Sequence, residues 1–252
     1  MKFIFCLLPL FISTFSLNAK NLIELRIATY IEEPFSYIKN NELVGENIEI
    51  AKVLTKSLNL KPVFIHCPFA RCLAMVKNGH ADMIFGLRKL PKREINLTFI
   101  SPPYMIQHYP LRFYTLKSAN RSIKKFNDLE SLSVGILRGA TYFEQFDNNT
   151  QIQKVKLNTR KQLVNMLLRK RIDTFLEREE SIKPLLSLIE YNEKLSLAEF
   201  QYSKAVETYI AISKLSRVNN YTKELKLQLT NLITNGTIEK IISKRIATKV
   251  NK

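Results

Sequence analysis

The chain has 252 residues, of which 39 are lysine or arginine and 22 are aspartate or glutamate, so its formal net charge at pH 7 is +17. The basic residues form no block of five or six, and no aromatic residues are interleaved with them, which argues against nucleic acid as a partner. A lysine-rich, solvated surface that attracts small anions fits this distribution better.

Residues 1–19 have the layout of a secretory signal peptide, with Lys2, an apolar run over 3–17 and a small residue at Ala19. The run is shorter than the roughly 20 residues that a spanning helix needs, which favours cleavage near Ala19 over a membrane anchor. Cleavage would leave 38 basic and 22 acidic residues and an exported, periplasmic product. The mature length exceeds one typical core of roughly 100–150 residues, so two lobes are expected.

Strand and helix patterns alternate through the first part of the mature chain. Residues 25–30 predict a strand, a helix follows Gly45, and residues 62–66 predict the next strand. The stretch 67–104 then predicts a helix that ends at Gly79, a turn, a short buried strand, an exposed basic loop and a further strand. This alternation is typical of a wound parallel sheet, which binds ligands at the carboxyl ends of its strands.

A polar segment at 117–127 separates a second alternating set, which predicts a second α/β lobe. Its predicted elements are strands at 133–137, 154–157 and 172–176, a turn and helix from Gly139, and helices at 159–169 and 180–189. After this set come strand-like segments at 196–200 and 208–213 and closing helices around Gly236.

Two cysteines, Cys67 and Cys72, remain after the leader is removed, and an exported pair tends to form a disulfide. Residues five apart on a helix are separated by roughly 7.5 Å along its axis, so bonding requires Cys67 to precede the first turn. Pro68 favours such a helix start, and two packed thiols are the alternative. A zinc site that adds His66 and His80 lacks a second ligand pair at the usual spacing, so no metal and no cofactor are predicted.

Seven segments occur in an order known from one protein family: RIATYIEEPFSY, LVGENIEIAKVL, VKNGHADMIFG, KREINLTFISPPY, SVGILRGATYFEQF, KRIDTF and ITNGTIEKIISKR. Through them the chain resembles the bacterial extracellular solute-binding proteins, family 3, of the polar amino-acid uptake type. The resemblance implies the type II periplasmic binding protein fold, in which two wound α/β lobes joined by a two-strand hinge close on a ligand. Lobe 1 would comprise residues 20–109 and 206–252, and lobe 2 residues 110–205, with the hinge near 108–111 and 205–208.

The same resemblance implies which residues bind the ligand. Arg93 resembles the arginine that clamps a ligand carboxylate, for which a planar guanidinium group offers a bidentate pair. Gly139, Ala140 and Thr141 resemble a turn whose backbone N–H groups and helix start hold the same carboxylate from the other lobe.

Two positions depart from the family pattern. Gly86 and Arg88 stand where members usually have serine or threonine hydroxyl groups. Arg178 stands where members usually have an aspartate for the ligand ammonium group, although the adjacent Glu177 could take its place. These departures argue against an ordinary α-amino acid as the ligand.

The predicted cleft is rich in positive charge, which favours an anionic ligand with more than one carboxylate or an acidic amino acid. Tyr30 and Phe69 are candidates for an apolar wall, and a core role is expected for Phe35. The charged residues expected there are Arg71, Arg88, Arg93, Arg138 and Arg178 against Glu32, Glu33 and Glu177.

Together these features predict a monomeric periplasmic solute-binding protein that serves an inner-membrane ABC permease, with no catalytic residue. One alternative is an enzyme of the cyclohexadienyl dehydratase type, for which Glu177 or Glu32 would be the general acid. The surrounding arginines oppose the raised pKa that such an acid needs. A ligand-sensing partner of a membrane receptor is the other alternative.

Overall fold

The computed structural model describes residues 22–187, 191 and 193–250, with side chains up to residue 243. The predicted signal peptide lies outside these residues, as does the end of the helix predicted at 180–189. Within the described residues, no helix is long and apolar enough to cross a membrane.

The first of two large sheets has three parallel strands and two further strands. Its members are β1 (Ile23–Thr29), β4 (Leu60–His66), β5 (Met83–Leu87), β6 (Leu97–Gln107) and β12 (Val206–Ser213). They lie in the order β4-β1-β5-β12-β6, with β12 antiparallel to both of its neighbours. A hairpin of β2 (Tyr37–Lys39) and β3 (Glu42–Val44) adjoins this lobe and was not predicted.

Helices cover this sheet because their apolar stripes face it. They are α1 (Glu46–Lys56), α2 (Phe69–Lys77), the single turn α3 (Pro91–Glu94), α7 (Thr222–Thr234) and α8 (Thr237–Val250). Leu25 of β1, Leu54 of α1 and Leu229 of α7 are fully buried in one core cluster. The carboxyl-terminal helices therefore pack with the amino-terminal strands in one lobe.

The second sheet repeats this arrangement. Its strands are β7 (Leu111–Leu116), β8 (Ser133–Leu137), β9 (Gln153–Leu157), β10 (Thr174–Arg178) and β11 (Leu195–Tyr202). In the order β11-β7-β10-β8-β9, three strands are again parallel, and β7 is antiparallel to both neighbours. Its helices are α4 (Glu144–Asn148), α5 (Arg160–Leu168) and α6 (Glu179–Leu186).

The chain passes between the sheets twice, through residues 108–110 after β6 and residues 203–205 after β11. This arrangement confirms the predicted type II architecture. The domain limits at 109/110 and 205/206 stay predictions.

Three sequence-based expectations need correction. The helix expected from Gly139 begins only at Glu144, so residues 139–143 form an extended turn. Strand β10 lies two residues later than predicted. The basic loop expected to be exposed contains the one-turn helix α3, and Arg93 within it is only 7 % exposed.

A buried aspartate forms hydrogen bonds that connect several elements of the first lobe. Asp82, just before β5, accepts hydrogen bonds from the backbone and guanidinium group of Arg26 at 2.8–3.0 Å and from Ser216 Oγ at 2.6 Å. Burial alone would raise the pKa of Asp82, but these hydrogen bonds outweigh it and hold the pKa below its usual value. Asp82 thereby joins β1, β5 and the turn after β12.

Asp173 has the equivalent place in the second sheet, just before β10. Its carboxylate accepts hydrogen bonds from Ser133 N and Oγ at 2.8 and 2.7 Å and from Arg121 at 2.8 Å. The aspartates of the two motifs NGHAD and RKRID therefore have a structural role within each lobe.

We predict that Asp82→Asn lowers the free energy of unfolding by about 2 kcal/mol at pH 7, because the buried carboxylate loses its charge and its charge-assisted hydrogen bonds with Arg26, whose side chain is 39 % exposed. The lowered pKa of Asp82 means that its stabilisation is present above the unfolded pKa of about 3.9 and is lost as the pH falls through the folded value. Urea denaturation at pH 7 and pH 3 measures both effects.

The matched control is Glu24→Gln, which removes the exposed ion pair with Lys61, where both side chains are more than half exposed. This variant should change the free energy of unfolding by less than about 1 kcal/mol. Equal losses in the two variants would contradict the structural role of Asp82.

Candidate ligand-binding cleft

A cavity of about 90 Å³ lies between the two sheets at the carboxyl ends of their parallel strands. Residues that follow or end β1, β5, β8 and β10 contribute to its wall, as the wound topology requires. The cavity is small beside the roughly 300–1,000 Å³ of typical ligand pockets. The lobes therefore stand close together in this structure.

Most of the predicted ligand-binding residues meet at this cavity. Those lining it are Tyr30, Phe69, Gly86, Arg88, Arg93, Ala140, Thr141, Glu177 and Arg178. Their roles toward a ligand stay predictions.

Four expected residues lie elsewhere. Arg71 is exposed because α2 packs Cys72 onto the sheet and turns Arg71 toward solvent. Arg138 and Glu33 are also exposed, and neither lines the cavity. Gly139 does not line the cavity either, although its carbonyl group bonds to a residue that does.

Arg93 enters the cleft from α3 and is almost completely buried. Its guanidinium group donates to the carbonyl oxygen of Arg88 at 3.0 Å and, across the cleft, to that of Gly139 at 3.3 Å. Desolvation, together with the nearby Arg88 cation, lowers the pKa of Arg93 to about 10. The group is still a cation at pH 7, and within the described residues no carboxylate lies within 4 Å of it.

Arg88 also reaches the opposite lobe. Its guanidinium group donates to the carbonyl oxygens of Thr141, at 3.4 Å, and Tyr142. The turn at 139–142 thus presents carbonyl groups to two arginines, and no helix start lies there because α4 begins at Glu144. The expectation that a helix start at this turn holds an anion is not met.

Tyr30 and Phe69 form an aromatic wall, with ring centroids 4.7 Å apart in an edge-to-face arrangement. The Tyr30 hydroxyl group donates to the carbonyl oxygen of Gly86 at 3.4 Å. Gly86 has φ +79°, and a Cβ atom there would lie 2.4 Å from the Tyr30 hydroxyl oxygen. The Tyr30 hydroxyl group therefore occupies the space that a side-chain hydroxyl group at position 86 would take.

The predicted disulfide between Cys67 and Cys72 is present, with Cα atoms 5.4 Å apart. Cys67 precedes α2, as bonding requires, and its N–H group donates to Thr29 O at the end of β1 at 3.0 Å. The bond thus fixes the start of α2, which carries Phe69 into the cleft. Because both sulfur atoms are used, the zinc alternative is excluded.

Sequence reasoning missed Arg160, the first residue of α5. Its guanidinium group lies 2.8 Å from Glu32 Oε1 and 3.0 Å from Glu177 Oε2 and donates to Ile31 O at 3.1 Å. Thr159 starts the helix by accepting a hydrogen bond from Gln162 N. A basic residue after a helix cap resembles a solvated surface residue, so only the fold shows that Arg160 points into the cleft.

The cleft holds four guanidinium groups and two carboxylates, counted over the residues that line the cavity. Burial raises the pKa of Glu177, an effect that Arg160 opposes and the Glu32 carboxylate supports. Desolvation lowers the pKa of Arg178, whose side chain donates to Tyr109 O at the crossing between the sheets. The net charge of the lining residues is positive.

Comparisons with known proteins agree with the fold. Residues 25–247 match the family described as bacterial extracellular solute-binding proteins, family 3. The ABC transporter arginine-binding protein 1 of Escherichia coli is 27 % identical over 150 residues, which are 58 % of this chain and 58 % of that protein. The chain spans about half the length of the curated relatives it matches.

Solved structures of binding proteins superimpose on most of the chain. An amino acid ABC transporter substrate-binding protein from Streptococcus pneumoniae, bound to L-arginine, has a TM-score of 0.72 at 22 % identity and covers 88 % of this chain and 93 % of its own. An ancestral arginine-binding protein bound to glutamine has a TM-score of 0.73 at 22 % identity, with coverage of 88 % and 96 %. These likenesses show the fold. The ligands bound in these two structures, L-arginine and glutamine, do not support the anionic ligand expected from the sequence.

We predict that replacing Cys67 and Cys72 by alanine lowers the free energy of unfolding by about 2 kcal/mol, because opening a loop of about six residues raises the entropy of the unfolded chain. Urea denaturation of the variant measures this loss. Wild-type protein with a reductant should show a similar loss, and an unchanged midpoint in both samples would contradict the prediction.

Proposed function

Because this chain belongs to the bacterial extracellular solute-binding proteins, family 3, we propose that it captures an amino acid in the cleft and delivers it to an inner-membrane ABC permease. The mature protein would act as a monomer in the periplasm after cleavage near Ala19. The observation that carries the proposal is Arg93, a buried cation whose guanidinium group donates hydrogen bonds to the carbonyl groups of Arg88 and Gly139.

The guanidinium group of Arg93 has five N–H donors, and the hydrogen bonds to Arg88 O and Gly139 O leave others for a ligand. A carboxylate in the cavity would offset the cost of burying this cation and would form a bidentate pair with it. An α-carboxylate is common to all amino acids, so Arg93 supports the ligand class without selecting the side chain.

Evidence on the ligand side chain comes from two sources that differ. The arginine-binding relatives make a basic amino acid the first candidate. The cleft charges, four guanidinium groups against two carboxylates, favour an acidic amino acid as the second candidate. Both belong in the same binding screen.

The enzyme alternative depends on the two carboxylates of the cleft, Glu32 and Glu177, which both lie within 3.0 Å of the Arg160 guanidinium group. Burial raises the pKa of Glu177, as a general acid requires, and Arg160 opposes this rise. The family and its named relatives are transport binding proteins. We therefore propose binding without catalysis.

A thermal-shift screen of the mature protein against the twenty amino acids and a set of dicarboxylates tests the proposal. A ligand at a hundred times its Kd should add about 2.7 kcal/mol to the free energy of unfolding. If none of the twenty amino acids raises the melting temperature, the proposed function is overturned.

For the amino acid found in that screen, we predict that Arg93→Lys weakens binding at least about tenfold, because an ammonium group cannot form the bidentate pair. Isothermal titration calorimetry measures the change. Arg169→Lys, at an exposed arginine at the end of α5, is the control and should leave Kd unchanged. Equal affinity of Arg93→Lys and wild type would remove Arg93 from the site.

A further inference from the structure

Arg160 occupies the acidic part of the cleft. Its side chain is 14 % exposed, and those of Glu32 and Glu177 are 13 % and 5 % exposed. Glu32 also accepts a hydrogen bond from Ser181 Oγ at 2.6 Å. A cation that belongs to the protein thus sits where two carboxylates converge from opposite lobes.

These two carboxylates are the acidic groups among the described residues that line the cavity. A carboxylate is the strongest partner for a ligand with a basic side chain, because burying an ammonium or guanidinium group without hydrogen-bond acceptors or an opposite charge is strongly disfavoured. Both groups already face Arg160, and Arg88, Arg93 and Arg178 add further positive charge to the wall.

The size of the cavity gives an independent argument. With Arg160 in place, the cavity that Glu32, Arg160 and Glu177 help to line has a volume of about 90 Å³. A long basic side chain therefore competes with Arg160 for space as well as for the two carboxylates.

We propose that Arg160 determines the specificity of the cleft. Its guanidinium group occupies the position between Glu32 and Glu177 that the cation of a basic ligand would take, so the protein selects amino acids without a positively charged side chain. This inference rests on the proposed function, because it concerns the side chain of the same amino-acid ligand. Arginine and lysine are rejected, and amino acids with a neutral or acidic side chain are accepted. Removal of the guanidinium group frees Glu32 and Glu177 for a basic ligand.

The test compares wild type with Arg160→Met, which keeps a long apolar side chain and removes the charge. Calorimetric titrations with L-glutamine, L-glutamate, L-arginine and L-lysine give the affinity of each protein for each ligand. Wild type should bind glutamine or glutamate at least 100-fold more tightly than arginine. In Arg160→Met the ratio should move toward arginine by at least 100-fold.

Two further variants separate specificity from a general effect on folding. Arg160→Lys keeps a cation between the carboxylates and should still reject arginine. Arg169→Met removes an exposed arginine from the same helix and should leave all four affinities unchanged. The wild-type titrations test the inference without any variant, so a poorly folded Arg160→Met does not prevent a decision.

The outcomes distinguish the inference from the function on which it rests. Wild type that binds arginine or lysine as tightly as glutamine or glutamate overturns the role of Arg160 and leaves amino-acid binding intact. A folded Arg160→Met with the wild-type order of affinities also overturns it. If neither protein binds any of these four or any other of the twenty amino acids, the proposed function fails and the inference fails with it.

Discussion

Burial of guanidinium groups between the lobes is the constraint on which the cleft depends. Each buried guanidinium group needs acceptors for its N–H groups, because the water that satisfied them has been removed. Arg88 and Arg93 of the first lobe find carbonyl groups in the turn at 139–142 of the second lobe. Arg160 of the second lobe finds Glu32 and a carbonyl group in the first. The hydrogen bonds and the ion pair that these buried guanidinium groups form therefore also join the two lobes.

The two lobes are built alike. Each has the same strand order and an aspartate just before a central strand that accepts several hydrogen bonds, Asp82 in one and Asp173 in the other. Side-chain hydrogen bonds join the lobes near the cavity, and two short chain segments cross between them. Such an arrangement allows the lobes to move as units about the crossings.

The fold could be predicted well from the sequence because hydrophobic periodicity decides where strands and helices form. The strand at residues 133–137 has the predicted bounds, and others differ by one or two residues. The site was harder to predict because its geometry depends on contacts between distant segments. Arg93 lies in a polar run that resembles an exposed loop, yet the fold buries it. Arg160 pairs with Glu32, which lies 128 residues earlier in the chain, and no local sequence pattern indicates a contact between residues so far apart.

The close approach of Gly86 and Tyr30 links two positions that lie 56 residues apart in the chain. A side chain at position 86 would meet the Tyr30 hydroxyl oxygen, and the positive φ of Gly86 adds strain for any other residue. A serine or threonine at position 86 therefore displaces the Tyr30 hydroxyl group, and a smaller residue at position 30 would remove this clash. The effect of an exchange at either position thus depends on the residue at the other, and a redesign of the cleft has to treat the two positions together.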